Sequence, residues 1–104
     1  MRTLLKVTPE VTSGNKAIAN GTLPEVIKAT MDQLQPEAAY FYTDRGERTC
    51  IMIFDLKDPS EIPVIAEPFF TKLNARVEFT PVMDAEDLQK GLQKVGQSEV
   101  VLEQ

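Results

Sequence analysis

The chain has no histidine, and this absence restricts the chemistry that its side chains can perform. Without imidazole, neither a Ser-His-Asp triad nor a Cys-His pair can form, and a zinc site containing histidine is excluded. Cys50 is the single cysteine, so it cannot form an internal disulfide or a thiolate metal site. We therefore expect no metal and no cofactor, and most of the common hydrolase mechanisms are excluded. We interpret Cys50 as a small buried hydrophobic residue.

Basic, acidic and phenolic side chains on the predicted strands form the candidate ligand site. Because side chains alternate between the two faces of a strand, one parity predicts a shared sheet face. The residues of that predicted face are Lys6, Tyr40, Tyr42, Arg48, Cys50, Met52, Arg76 and Glu78. The opposite parity would then face the helices: Leu5, Val7, Phe41, Ile51, Ile53, Val77 and Phe79.

Two interpretations of this face remain open. In the first, Arg48 or Arg76 holds a substrate carboxylate, and Glu78 or a tyrosine moves a proton. In the second, Lys6, Arg76 and Glu78 form ion pairs at a dimer interface or sheet edge, where the tyrosines add amphipathic area.

The charge of the chain limits the choice of partners. Eleven basic and sixteen acidic residues give a net charge of −5, the wrong sign for gathering phosphates. We expect no binding to nucleic acid or to membranes. Lys6 interrupts the apolar start too early for a signal peptide, and a lone cysteine is compatible with a reducing compartment, so the expected location is cytoplasmic.

Hydrophobic periodicity predicts four strands and three helices. The strands cover residues 3–8, 38–43, 48–55 and 76–82, and residues 44–47 form a tight polar turn between the second and third. The helices begin near Thr22, Ser60 and Asp84, with expected stops at Pro36, after Leu73 and at Gly96. Residues 9–21 are ambiguous apart from one helical turn over 16–19, and the tail 96–104 could add a strand or pack loosely.

This order of elements predicts one α+β domain over residues 1–104 with a ferredoxin-like β-α-β-β-α-β fold and an added C-terminal helix. In that topology the sheet is antiparallel, the first and third strands are central, and both crossover helices cover one face. The third strand is apolar at both parities, whereas a strand with one wet face should alternate. Either the last helix or a second copy of the chain must cover the other face, and we favour a homodimer.

Two segments carry a family resemblance: Leu23-Pro24-Glu25-Val26-Ile27, and the stretch from Phe54 to Pro63. With the element order and the two-sided third strand, they resemble an uncharacterised bacterial family within the dimeric α+β-barrel superfamily. That superfamily includes monooxygenases and muconolactone isomerases. The resemblance implies a fold and a dimer but no function.

Three functions are consistent with these features. The first is a small homodimeric domain that binds a small organic ligand on the sheet face opposite the helices. The second is a cofactor-independent isomerase or monooxygenase-like enzyme for a small anionic or aromatic substrate, although the chain lacks the Trp and His that such monooxygenases are expected to use. The third is a protein-interaction module that uses the C-terminal helix and tail.

Overall fold

The computed structural model describes the backbone of residues 1–103 and the side chains of residues 1–96. The elements, in chain order, are β1 (Arg2–Thr8), α1 (Val11–Ala19), α2 (Thr22–Leu34), β2 (Ala38–Asp44), β3 (Glu47–Asp55), α3 (Glu61–Leu73), β4 (Arg76–Pro81) and α4 (Ala85–Glu103).

The four strands form one antiparallel sheet in the order β2-β3-β1-β4. The predicted α+β, ferredoxin-like topology is confirmed, with β1 and β3 central. Apolar residues of α2 and α3 pack on one face of the sheet and form the core with Leu5, Val7 and Phe54. We call the opposite side of the sheet the open face.

The predicted orientation of β3 is wrong by one residue. The sheet pairs Leu5 with Met52 and Val7 with Cys50, and directly opposite residues project from the same side of a sheet. Met52 is fully buried and Cys50 nearly so, both in the core beneath the helices. Ile51 therefore lies on the open face, together with the other odd-numbered residues of β3.

The turn between β2 and β3 has the predicted position, and each strand extends one residue further into it than predicted. Asp44 pairs with Glu47, so only two residues connect the strands. Arg45 and Gly46 have φ angles of 54° and 79°, the left-handed geometry of a two-residue hairpin turn. A turn this short fixes the register of the hairpin.

The segment predicted to contain one helical turn is the complete helix α1. Glu10 caps it by accepting hydrogen bonds from the Thr12 backbone N–H at 3.0 Å and from Ser13 Oγ at 2.8 Å. The same carboxylate accepts a bond at 3.0 Å from Asn74 Nδ2, at the end of α3. Glu10 thus joins two helices, and these bonds, that from Asn74 first, lower its pKa to about 2.

Gly96 does not end α4, contrary to the prediction. A glycine stops a helix by adopting a left-handed conformation, and Gly96 does not have one. The backbone stays helical to Glu103, so the extra strand proposed for the tail is also wrong. How the side chains of residues 97–104 pack lies outside the described residues.

Candidate functional site

The open face brings together five of the seven predicted site residues. Register places Lys6 opposite Ile51 on one side and opposite Glu78 on the other, with Tyr40 across from Ile51. Tyr42 and Arg76 share this side of the sheet by alternation. The five residues on the open face are Lys6, Tyr40, Tyr42, Arg76 and Glu78.

Arg48 and Met52 do not belong to this group. Both lie on the helix side, because β3 presents its other parity to the open face. Met52 is part of the core. The predicted eight-residue cluster, which included Cys50, is therefore divided between the two sides of the sheet.

Ion pairs occupy the polar end of the open face. Lys6 Nζ binds the Asp44 carboxylate, and Arg76 Nη2 lies 3.1 Å from Glu47 Oε1. The hydrogen bond to Asp44 raises the pKa of Lys6 and lowers that of Asp44. A polar cleft of about 560 Å³ lies here, and Lys6 and Arg76 in its lining, though not Arg45, have carboxylate partners among the described residues. Lys6 and Arg76 therefore pair with carboxylates, as in the second interpretation, but the partners are Asp44 and Glu47 and not the predicted Glu78.

A smaller, largely apolar cavity lies on the helix side of the sheet, between α2, α3 and the β2-β3 hairpin. We call it the helix-side cavity, and its volume is about 230 Å³. Its lining residues are Val7, Pro9, Leu23, Ile27, Phe41, Tyr42, Thr43, Arg48, Thr49, Cys50, Phe69 and Leu73. Phe41, on the edge strand, is 56% exposed, so one wall of the cavity borders solvent.

Arg48 supplies the permanent charge in the lining of this cavity. Its Nη2 donates to Asn15 Oδ1 at 2.9 Å, and its Nη1 donates to the Val11 carbonyl at 3.4 Å. Both acceptors are neutral atoms of α1. Arg48 is half-buried as a residue, although both of these hydrogen bonds are exposed to solvent. Among the side chains that the structure describes, no carboxylate lies within ion-pairing distance of its guanidinium, which has five N–H donors in all.

Cys50 is the other ionisable group deep in the cavity lining. Burial raises the pKa of its thiol to about 11. The thiol therefore stays protonated at neutral pH, and a protonated thiol is a poor nucleophile. Its contribution to the cavity is apolar surface.

The sequence pattern contains little indication of the cavity. Leu23, Ile27, Phe69 and Leu73 belong to the helical stripes that predict core, and periodicity does not distinguish a packed core position from a cavity wall. Phe41 was correctly assigned to the helix side. Arg48 was predicted to be a carboxylate-binding candidate on the open face, and the structure places it on the helix side instead.

Comparison with known proteins shows a family and leaves the activity open. A family model described as a domain of unknown function, DUF3303, matches residues 8–96. The chain belongs to this family. No curated protein matches the chain. Within the described residues, no helix has the length and apolar character needed to span a membrane.

Proposed function

We propose that this domain binds a small carboxylate with an aromatic or aliphatic body in the helix-side cavity. The apolar walls would hold the body, and Arg48 would hold the carboxylate. The proposal rests on one observation: Arg48, a half-buried residue in the lining of an apolar cavity, has a guanidinium whose two hydrogen-bond acceptors are neutral. A ligand carboxylate would supply the missing negative charge.

The size of the cavity limits the ligand. An apolar cavity of about 150 Å³ is large enough to take up benzene. The helix-side cavity, at about 230 Å³, leaves room for one ring or a short chain together with an acid group. Benzoate, phenylacetate and hexanoate represent this class.

Arg48 should determine the preference for an acid over a neutral molecule of the same shape. Hydrogen bonds to a charged group contribute about 1.5–3 kcal/mol, which corresponds to about 10- to 100-fold in affinity. The guanidinium fork can also bind both carboxylate oxygens at once. Because Arg48 is only half-buried, solvent screening favours the lower part of this range.

The cavity lining favours recognition over catalysis. A cofactor-independent isomerase or oxygenase would need a base or nucleophile facing the ligand. Cys50 is held in its protonated form, and Arg48 cannot accept a proton. Among the predicted proton-transfer groups, Glu78 and Tyr40 lie on the open face, across the sheet from the cavity. Tyr42 contributes to the cavity lining, but its position in β2 has the open-face parity.

Titration of labelled protein with benzoate, hexanoate and benzyl alcohol, followed by amide NMR, tests this proposal. The acids should shift the signals of residues along Phe41–Thr43 and Leu23–Ile27, and benzyl alcohol should bind at least about tenfold more weakly. Shifts confined to the cleft around Arg76 would instead assign the acid to the open face. An absence of shifts with every probe would contradict the proposal.

A further inference from the structure

Helix α4 has an apolar stripe that no described part of the chain covers. Leu88, Leu92 and Val95 are 48%, 60% and 54% exposed, and their spacing places them on one side of the helix. Every residue from Met83 to Val95 is exposed. The radius of gyration is 17.8 Å, against about 13 Å for a compact domain of this length, because α4 projects away from the sheet.

The open face has a matching apolar area. Leu4, Ile51 and Ile53 are adjacent by register across the two central strands, and Tyr40 extends this surface onto β2 with 62% of its area exposed. One of the two covers expected from the sequence was the last helix of the same chain. That cover is excluded for residues 85–95 of α4, which project into solvent.

Charged contacts place the start of α4 on the side of the open face. Arg2 shares that face with Leu4 by alternation, and its Nη1 lies 3.0 Å from Asp84 Oδ2 and 3.7 Å from Asp87 Oδ2. Asp84 and Asp87 also cap the helix reciprocally, each carboxylate accepting the backbone N–H of the other residue. The first turn is therefore fixed, while the apolar stripe beyond it has no partner in its own chain among the described side chains.

We infer that α4 packs on the open face of a second copy of the chain, whose own α4 returns to the first copy. Each chain has both the apolar stripe of α4 and the apolar area of the open face. A two-fold axis therefore covers all four apolar surfaces of the dimer and leaves none exposed for the addition of further copies. This inference goes beyond the proposed ligand site and develops the homodimer predicted from the sequence.

The area needed for a stable dimer supports the exchange of α4. The sheet is four strands wide and about six residues long, which gives its open face an area of about 400 Å². A typical stable interface covers about 800 Å² per partner. The footprint of a 19-residue helix adds about 280 Å². Because α4 covers about its own footprint of the partner's sheet, the exchange gives about 560 Å² per partner, which is closer to the required size than the sheet face alone.

The polar groups are compatible with this packing. Lys90 and Glu86 lie on the side of α4 away from the leucine stripe and form an ion pair with each other. On the open face, Lys6 and Arg76 are neutralised by their carboxylate partners within the same chain. Covering the apolar area would therefore leave none of these cations buried without a partner.

Cross-linking between two differently substituted chains tests the exchange. With Cys50→Ala as the background, one chain carries Leu92→Cys and the other carries Ile53→Cys. They are mixed, unfolded and refolded together, and treated with a short bismaleimide. A third chain, with Lys90→Cys on the opposite side of α4, is the matched control. Circular dichroism of each chain checks that it folds.

The exchange predicts that the Leu92 variant cross-links to the Ile53 variant more efficiently than either variant cross-links to itself, and that the Lys90 variant does not react. Self-linking of the Leu92 variant alone would show helix-to-helix packing and overturn the inference. Self-linking of the Ile53 variant alone would show sheet-to-sheet packing and also overturn it. Light scattering of the unsubstituted protein should give the mass of a dimer, and a monomer at every concentration would overturn it as well.

Discussion

Gly14 of α1 lies against the guanidinium of Arg48, so closely that a Cβ atom at position 14 would be 2.8 Å from Nη1. Real Cβ atoms do not approach other atoms to this distance. Glycine inside a helix is about 0.5–1 kcal/mol less favourable than alanine. Gly14 therefore provides the space in which Arg48 crosses α1 and reaches Asn15.

Gly14→Ala should make α1 more stable and ligand binding weaker. The substitution favours the helix by up to about 1 kcal/mol, but the Arg48 guanidinium must move away from its position in the cavity lining. Thermal unfolding and benzoate titration measure the two effects separately. The control is Ile18→Ala, at an exposed position of the same helix, which should leave benzoate affinity unchanged. Unchanged affinity in the Gly14 variant would contradict the role assigned to the position of Arg48.

Protonation of Glu10 should lower the stability of the protein at low pH. Its pKa is about 2 in the folded chain, below the ordinary value of 4.5, so its contribution is present above pH 4.5. That contribution is lost as the pH falls from 4.5 towards 2. Glu10→Gln should therefore narrow the difference in urea midpoint between pH 6 and pH 3.

The exposed residue Glu67 provides the control for this prediction, because Glu67→Gln removes the same charge without touching the contact between α1 and α3. An equal narrowing in both variants would show that the effect comes from overall charge, which would contradict the assignment to Glu10.

Substitutions on the two sides of β3 should lower the free energy of unfolding by different amounts. Met52 is fully buried beneath the helices, so Met52→Ala should lower the free energy of unfolding by about 2–5 kcal/mol. Ile51 is half-buried on the open face, and Ile51→Ala should have a smaller effect, about 1 kcal/mol. Urea unfolding checks both values, and the reverse order would contradict the orientation of β3.

Cys50 should react slowly with thiol reagents in the folded protein. With a pKa of about 11, about one thiol in a thousand is ionised at pH 8, and the side chain is buried. Labelling with a chromogenic disulfide should be slow in buffer, slower with benzoate and rapid in urea. Rapid labelling in buffer would contradict the burial of this thiol.

The turn between β2 and β3 contained the information that would have corrected the orientation of β3. A two-residue turn after Asp44 places Phe41 opposite Cys50, so both must face the same side. Assigning Phe41 to the helices and Cys50 to the other side is therefore inconsistent with that turn. The apolar pattern did not reveal the error, because β3 is apolar at both parities.

The rest of the topology was predictable because strong local signals and the chain order agree. Helix α1 was missed because its capping residue is Glu10, which periodicity does not identify, and because Gly14 lowers helix propensity. The helix-side cavity was missed because a void depends on how side chains from distant elements meet. Arg48 was selected as a candidate by its chemistry, while its side of the sheet depended on a single-residue register.

The central claim is that Arg48 binds the carboxylate of a small acid. Benzoate affinity of Arg48→Met, compared with that of Arg76→Met, tests it most directly, since each change removes one guanidinium and keeps an unbranched chain. We predict that affinity falls by about tenfold or more in the Arg48 variant and is unchanged in the Arg76 variant, whose arginine pairs with Glu47. Loss of affinity in the Arg76 variant alone would contradict the account and return the site to the open face.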